Sequence, residues 1–315
     1  MLRNEKILIT GVTGAIARPV ARALARDNEV WGAARFTDPA LRAELEAAGV
    51  RTAPIDLETG DLDALPTDPT LVLHYAYTRR PSGEFEQAIR VNAIAPGRIL
   101  ARCRGARAAL VVSAATLYSR HDDPYHAFEE SEDVGFVAAP WGPSSPVSKV
   151  TLEAVARFCA EAFELPTTIV RPSVPYGCAM DMVTNVIDAV LDGRPVFAVH
   201  DPQPLSVIHI DDMIEQIEPL LAAASVPARI VNWASDEVVT MQEVAALAAE
   251  RAGREATIQV GAPPGVALGA VVDTRRVRSI VGPCRRRFAE AFPAIFDARL
   301  ALHRARAGAA AGGAS

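Results

Sequence analysis

The chain has 315 residues, half of them hydrophobic, with a net charge of −6. That length supplies a core for one large domain or two interleaved lobes. The acidic balance, with no basic stripe, argues against nucleic acid as a partner. No apolar run reaches membrane-spanning length and the four cysteines lack metal-ligand spacing, so neither a membrane nor a metal is expected. Met1 to Lys6 leads straight into an apolar run without a leader pattern, and the scattered cysteines read as reduced packing residues of a cytoplasmic protein.

Ile7–Thr10 is an apolar run that predicts a buried strand. Gly11-Val12-Thr13-Gly14-Ala15-Ile16-Ala17 follows, and Pro19 to Arg26 has helical spacing. Strand, glycine turn and helix form the context of a phosphate-binding loop. Gly11 allows the tight turn, Gly14 lets backbone amides approach a pyrophosphate, and Ala17 lets the helix pack on the strand. Glu29–Ala34 predicts a second strand, ending in Arg35. At this strand end an acid accepts from the ribose 2′-hydroxyl of NAD, whereas an Arg suits the 2′-phosphate of NADP. No acid stands here, so NADP(H) is favoured over NAD(H). Pro39 to Ala48 predicts a helix, and Arg51 to Ile55 a third strand running into Asp56-Leu57 beside the adenine.

Thr70 to Tyr77 predicts a fourth strand, Ser82 to Cys103 a long helix kinked at Pro96, and Ala108 to Ala114 a fifth strand. Strands at this beat, separated by helices, imply a parallel sheet covered on both faces. From Ser119 to Gly142 the chain is a polar loop carrying His121, His126, Asp122, Asp123, Glu129 and Glu130, read mainly as solvated charge. Ser144-Ser145-Pro146 opens a helix to about Ala162, with a Ser cap and Pro in the first turn. Thr167 to Arg171 is a sixth strand. Later segments predict helices at Met182–Leu191 and Met241–Ala252, strands at Val207–Ile210, Arg229–Ala234 and Ala256–Val260, and two small helices before an unstructured tail. His209 with Asp211 and Asp212 reads as a strand followed by acids at a helix N-terminus, not as a metal site.

Six motifs in order resemble the extended short-chain dehydrogenase/reductase group of the NAD-dependent epimerase/dehydratase type: Thr10 to Ala17, His74-Tyr75-Ala76-Tyr77, Val91-Asn92, Ser148-Lys149, Arg171 to Gly177, and Ile208 to Asp212. The resemblance implies an α/β fold, a Rossmann-like doubly wound parallel sheet with a smaller C-terminal substrate lobe. It divides the chain into a dinucleotide-binding domain at 1–172, also receiving about 205–235, a substrate lobe at 173–204 and 236–304, and a disordered tail at 305–315. It implies cofactor contacts at Gly11, Thr13, Gly14, Ala15, Ile16, Arg35, Asp56, Leu57, Ala76, Lys149 and Pro172. It also implies a homodimer built on the helices at Ser82–Cys103 and Ser145–Ala162. Only Lys6 and Lys149 are lysine among the 32 basic residues, which marks Lys149 further.

The chain departs from the family where chemistry is expected. The family's acid/base is a Tyr four residues before the Lys, whose pKa that Lys lowers; here the position is Ser145. The family's Ser or Thr at the end of the fifth strand falls on Ala114, with Ser113 one residue early. Ser113, Lys149 and Tyr118 are therefore the catalytic candidates, Tyr118 as a substitute acid or as a packing residue. Ser145 is expected to cap its helix and not to react. The family's nucleotide-sugar members carry an Arg before the late His-Val-Asp-Asp run; Leu205-Ser206-Val207 stands here, so a nucleotide sugar is disfavoured and another small molecule expected. The function implied is an atypical NAD(P)(H)-dependent oxidoreductase or epimerase. The alternatives are a non-redox cyclase, isomerase or lyase reusing the pocket, and a cofactor-binding regulatory module.

Overall fold

The computed structural model describes residues 2–81, 83–140 and 142–312, with the side chains of 307–312 excepted. Seven parallel strands form the central sheet: β1 (Lys6–Thr10), β2 (Glu29–Ala34), β3 (Arg51–Pro54), β4 (Leu71–His74), β5 (Ala108–Val112), β6 (Thr167–Pro172) and β10 (Arg229–Trp233). Their order is β10-β6-β5-β4-β1-β2-β3. The order reverses beside β1, which pairs with β2 on one side and β4 on the other. That reversal leaves a crevice at the carboxyl ends of the strands, where ligands of such sheets bind.

Alternation sorts each strand's side chains between two layers. Ile7, Ile9, Leu71, Leu73, Leu110 and Val112 join one core. Helices α1 (Ala17–Leu24), α2 (Pro39–Ala47), α7 (Ile210–Ala222) and α9 (Arg275–Val281) contribute Val20, Leu45, Met213 and Val277 to it. Leu8, Val72, Ala109 and Val111 join the other. There α4 (Ala95–Arg102) and α5 (Ser145–Ala162) close the sheet with Ile99, Leu152 and Ala156. These runs have no polar face because both faces of the sheet are buried.

A second core lies among the C-terminal elements. Strands β7 (Val174–Tyr176), β9 (Pro204–His209) and β11 (Val238–Thr240) form a three-stranded sheet, and β8 (Val196–Ala198) pairs with β12 (Ile258–Val260). Helices α6 (Met182–Leu191), α8 (Met241–Ala252) and α10 (Phe288–Gly312) pack there through Ile187, Ala248, Phe288, Phe292 and Phe296. Both α6 and α8 open with reciprocal capping boxes, Asp181 with Thr184 and Thr240 with Glu243.

Several expectations change. The single helix at Ser82–Cys103 is instead α3 (Phe85–Ile89), a π-helical turn (Arg90–Ile94) and α4; Ser82 lies outside the described residues. Pro96 sits in the first turn of α4, where its missing N–H is tolerated, and the wide turn before it absorbs the irregularity. The fourth strand stops at His74, three residues early, and Tyr75–Tyr77 leave the sheet. The tail expected to be unstructured continues α10 as far as Gly312, in keeping with the helix propensity of alanine; residues 313–315 lie outside the described ones.

Candidate active site

β1 ends at Thr10 and Gly11 turns the chain with φ +68°. A Cβ at Gly11 would stand 2.6 Å from Ala76 Cα, so close backbone approach and the left-handed conformation both require glycine. Gly11 N donates to Ala33 O at 2.8 Å and Gly14 N to Gly11 O at 2.9 Å, bracing the loop against β2. Ile16, at the N-cap of α1, supplies no capping side chain. The first amides of a helix have no partner within it, and a phosphate is the ligand such an end takes.

Two adjoining cavities run over this loop. The first, about 200 Å³, is bordered by Thr13, Arg35, Asp56, Leu57 and Ala76. The second, about 560 Å³, is bordered by Ala15, Ile16, Ser113, Ser145, Lys149 and Pro172. Gly11, Gly14, Tyr75 and Tyr77 border both, which makes them one groove. Every position that the sequence marked for cofactor contact lines it. The Gly11 turn and the elongated groove fit a dinucleotide, with Arg35 and Asp56 at one end and Lys149 at the other. Arg35 is exposed and makes no hydrogen bond or ion pair among the described residues.

Lys149 rises from the first turns of α5 and is 5% exposed. Its Nζ donates to Val112 O at 3.0 Å, across the end of β5. Burial lowers its pKa to about 7, with Glu153 opposing that shift and Arg79 adding to it. The same ammonium lies 4.2 Å from the centroid of the Tyr77 ring. His74 shares a 2.8 Å hydrogen bond between Nδ1 and Thr10 Oγ1. Burial, with the charge of Lys149, holds its pKa down at about 3, so the ring is neutral.

Tyr118 is not in the groove, which corrects its candidacy as a substitute acid. Its Oη donates to Asn232 Oδ1 at 2.6 Å and accepts from Arg171 at 2.9 Å, and its ring stacks on Phe128 at 4.9 Å. Burial pushes its phenol up to about 12. Arg171 forms a bidentate pair with Glu153, at 2.9 and 2.7 Å, with both side chains buried. Glu130, read as a solvated loop acid, instead accepts from Asn232 N at 2.9 Å in this buried network. His126 bonds Glu132 at 2.8 Å and stacks on His121 at 3.9 Å, so these two also serve the loop itself.

Ser113 borders the groove, its Oγ buried and without a hydrogen-bond partner among the described residues. Ser145 does not cap α5. Ser144 holds the N-cap position without a capping bond, its Oγ accepting from Arg80 N at 3.3 Å and donating to Arg80 O at 3.2 Å. Ser145 therefore faces the groove, four residues before Lys149. Tyr77 belongs to the His74–Tyr77 motif but closes an apolar run that reads as strand, so the sequence alone assigns it no function. Asn92 was recognised as a motif but given no function. Its Oδ1 accepts from Thr78 N at 2.9 Å and its Nδ2 donates to Thr78 O at 2.8 Å. The π-helical turn thus clamps the loop that carries Tyr77.

The profile of the NAD dependent epimerase/dehydratase family matches residues 7–234. The chain belongs to this family. It is an enzyme of the epimerase/dehydratase type, served by a nicotinamide cofactor. No curated protein sequence matches the chain. Among solved structures it is similar to UDP-glucuronic acid 4-epimerase from Bacillus cereus in complex with UDP-glucuronic acid and NAD, with TM-score 0.80, 20% identity and coverage of 94% of this chain and 99% of that one. It is also similar to UDP-glucose 4-epimerase from Thermus thermophilus in complex with NAD, with TM-score 0.76, 22% identity and coverage of 93% and 98%. A third is UDP-N-acetylglucosamine 4-epimerase from Methanobrevibacter ruminantium with UDP-N-acetylmuramic acid, with TM-score 0.78, 16% identity and coverage of 92% and 96%.

The expectation that a nucleotide sugar is disfavoured is overturned by these similar structures, two of which hold a UDP sugar. Its basis also fails locally. Leu205, Ser206 and Val207 are all buried in β9, where Ser206 Oγ accepts from Val272 N at 3.2 Å. That stretch packs the second core and says nothing about a diphosphate. Among the described residues no helix is long and apolar enough to cross a membrane.

Proposed function

We infer that this enzyme is an epimerase that acts on a nucleotide-linked sugar with bound NAD. The observation that carries the reading is Lys149, a buried lysine at the end of β5 in a groove that begins at the Gly11 turn. When bound, the nicotinamide accepts and returns a hydride. The chain's own part is to hold the dinucleotide along Gly11, Gly14 and Asp56, to place Lys149 at the ribose beside the reacting carbon, and to exclude water from the 560 Å³ end. Ser113 Oγ supplies a hydroxyl toward the substrate's oxygen. The test is a panel of UDP sugars with purified protein, scored for stereoisomer formation and for a transient NADH absorbance. Conversion without any NADH signal would move the reading to a non-redox isomerase or lyase; no conversion of any UDP sugar would remove the substrate class.

NAD is preferred here to NADP(H) because the similar epimerases hold NAD, although Arg35 borders the same cavity and is suited to a 2′-phosphate. NAD is expected to bind more tightly than NADP in calorimetric titration, and Arg35→Ala should leave NAD affinity nearly intact. A tighter NADP, reduced by about 1–3 kcal/mol in Arg35→Ala, would restore Arg35 as selector of the 2′-phosphate.

The enzyme is also proposed to be a dimer. Phe85 and Ile94 on the α3–α4 segment, and Val147 and Phe158 on α5, are 50%, 42%, 38% and 66% exposed. Two such helices from each copy would bury them in a four-helix contact. Light scattering at micromolar concentration should give twice the chain mass, and Phe158→Glu should shift it to the monomer. A monomeric wild type rejects the proposal.

A further inference from the structure

The position four residues before Lys149 offers only a serine hydroxyl, yet a phenol reaches the same place from the opposite wall. We propose that Tyr77 is the catalytic acid/base of this site, working with Lys149 from the end of β4 in place of a tyrosine on α5. The proposal deepens the reading above and rests on it for the reaction, though not for the chemistry of the groove.

Three observations place the phenol. The Tyr77 ring lies against the Lys149 ammonium, 4.2 Å from ring centroid to Nζ. Its Oη is buried without a well-formed hydrogen bond among the described residues, with Ser145 the hydroxyl beside it. A buried hydroxyl left unpaired costs free energy, and such groups persist where a ligand completes them. Third, Tyr77 borders both halves of the groove, at the junction where a dinucleotide would pass from its adenosine end to its reacting end. Its backbone is not free to drift. Asn92 clamps Thr78 on one side, and Ala76 N donates to Thr10 Oγ1 at 3.3 Å on the other.

Tyr75 is the nearest rival and fails on its surroundings. It borders the same two cavities and its Oη is also unpaired, but its side chain packs against the apolar core, no charged group among the described residues lies against its ring as Lys149 lies against that of Tyr77, and burial alone raises its phenol. The charged groups bordering the two cavities with Tyr77 are Lys149 from α5, Arg79 and Arg80 on its own loop, Arg35 and Asp56 at the far end, and Asp181, with neutral His74 at the strand end. Burial holds the Tyr77 phenol above its usual range, while Ser145 and Arg79 pull it back. A further positive charge brought into the groove lowers it again.

The step balances without another reactant. Tyr77 enters as the phenolate, its own proton lost to solvent along the groove. As the carbinol C–H of the sugar departs with its electron pair to the oxidised nicotinamide, the O–H proton passes to Tyr77 Oη. On return the pair goes back to the other face of the keto carbon, and the proton goes back to its oxygen.

The test compares wild type, Tyr77→Phe and, as control, Tyr75→Phe, in two measurements. The first needs no substrate. Tyrosinate absorbance is titrated with and without saturating NAD; the chain has five tyrosines, so the difference between wild type and Tyr77→Phe isolates one phenol. That phenol should ionise at lower pH with NAD bound, and Tyr75→Phe should retain the signal. The second is turnover of any UDP sugar that wild type converts. Tyr77→Phe should lose about 10²–10⁴-fold in kcat, with NAD affinity changed by no more than about tenfold. An absent NAD-dependent shift overturns the proposal, as does full turnover by Tyr77→Phe. If the shift is present but wild type converts no UDP sugar, the substrate class fails and Tyr77 stands.

Discussion

Lys149→Met should make the protein more stable and inactive. The ammonium is buried, and its pKa falls from 10.5 to about 7 because burial disfavours the charge. Between those values the unfolded chain binds the proton and the folded chain does not, so wild-type stability should rise with pH through that window. Below pH 7 both states hold the proton and the folded state carries the full cost of burying it. Methionine fills similar space without that cost, so the variant should gain stability at pH 6, by about 1–4 kcal/mol if the gain matches that of replacing buried ion pairs by apolar side chains. Its stability curve between pH 7 and 10 should be flatter than that of wild type. Turnover should fall by about 10²-fold or more, because the ribose contact and the cation beside Tyr77 are both lost. Urea unfolding at several pH values, paired with a kcat measurement, checks both halves. A variant less stable than wild type at pH 6 would mean that Lys149 is held by attraction, with Glu153 the dominant influence.

Glu153→Ala should be strongly destabilising, although Glu153 lies on α5 away from the groove. It strands the Arg171 guanidinium, whose charge is opposed by burial and sustained by the paired carboxylate. Removing one member of a buried ion pair costs about 3–5 kcal/mol. Arg171 also donates to Tyr118 Oη and to Glu130 O, at 2.9 and 3.2 Å, so the long loop should loosen with it. The double variant Glu153→Leu with Arg171→Met removes both charges and should recover most of the loss, measured as the urea midpoint at neutral pH. A single variant within about 1 kcal/mol of wild type would show that the pair contributes little, as exposed pairs do.

Both side chains were within reach of a sequence reading, but their meeting was not. Glu153 lies one helical turn after Lys149, and Arg171 opens a recognised motif. Their pairing joins residues 18 apart through a strand–helix contact that no local pattern encodes. The glycine loop was legible for the opposite reason: turn, amide approach and helix packing are all carried by seven consecutive residues. Strand positions were legible because a sheet covered on both faces leaves uninterrupted apolar runs. The same property hid Tyr77. In Thr70 to Tyr77 nothing marks where the sheet ends, since the break depends on neighbouring strands stopping and on Thr10 capturing Ala76 N. Tyr118 misled because its place near a strand end suited a catalytic role, while its partners Asn232 and Arg171 lie far along the chain.

The buried knot around Asn232 has a use in redesign. It takes hold of the long loop at three points: Tyr118 Oη, Phe128 O and the Glu130 carboxylate. The stretch from 119 to 127 is therefore a closed arch standing on fixed piers. Doubling the length of such an arch costs only about 0.6 kcal/mol in closure entropy, and none of the three anchors needs to move. Grafts into this span can change what the arch presents to solvent while Lys149, Ser113 and the glycine turn keep their places, because none of its residues borders the groove.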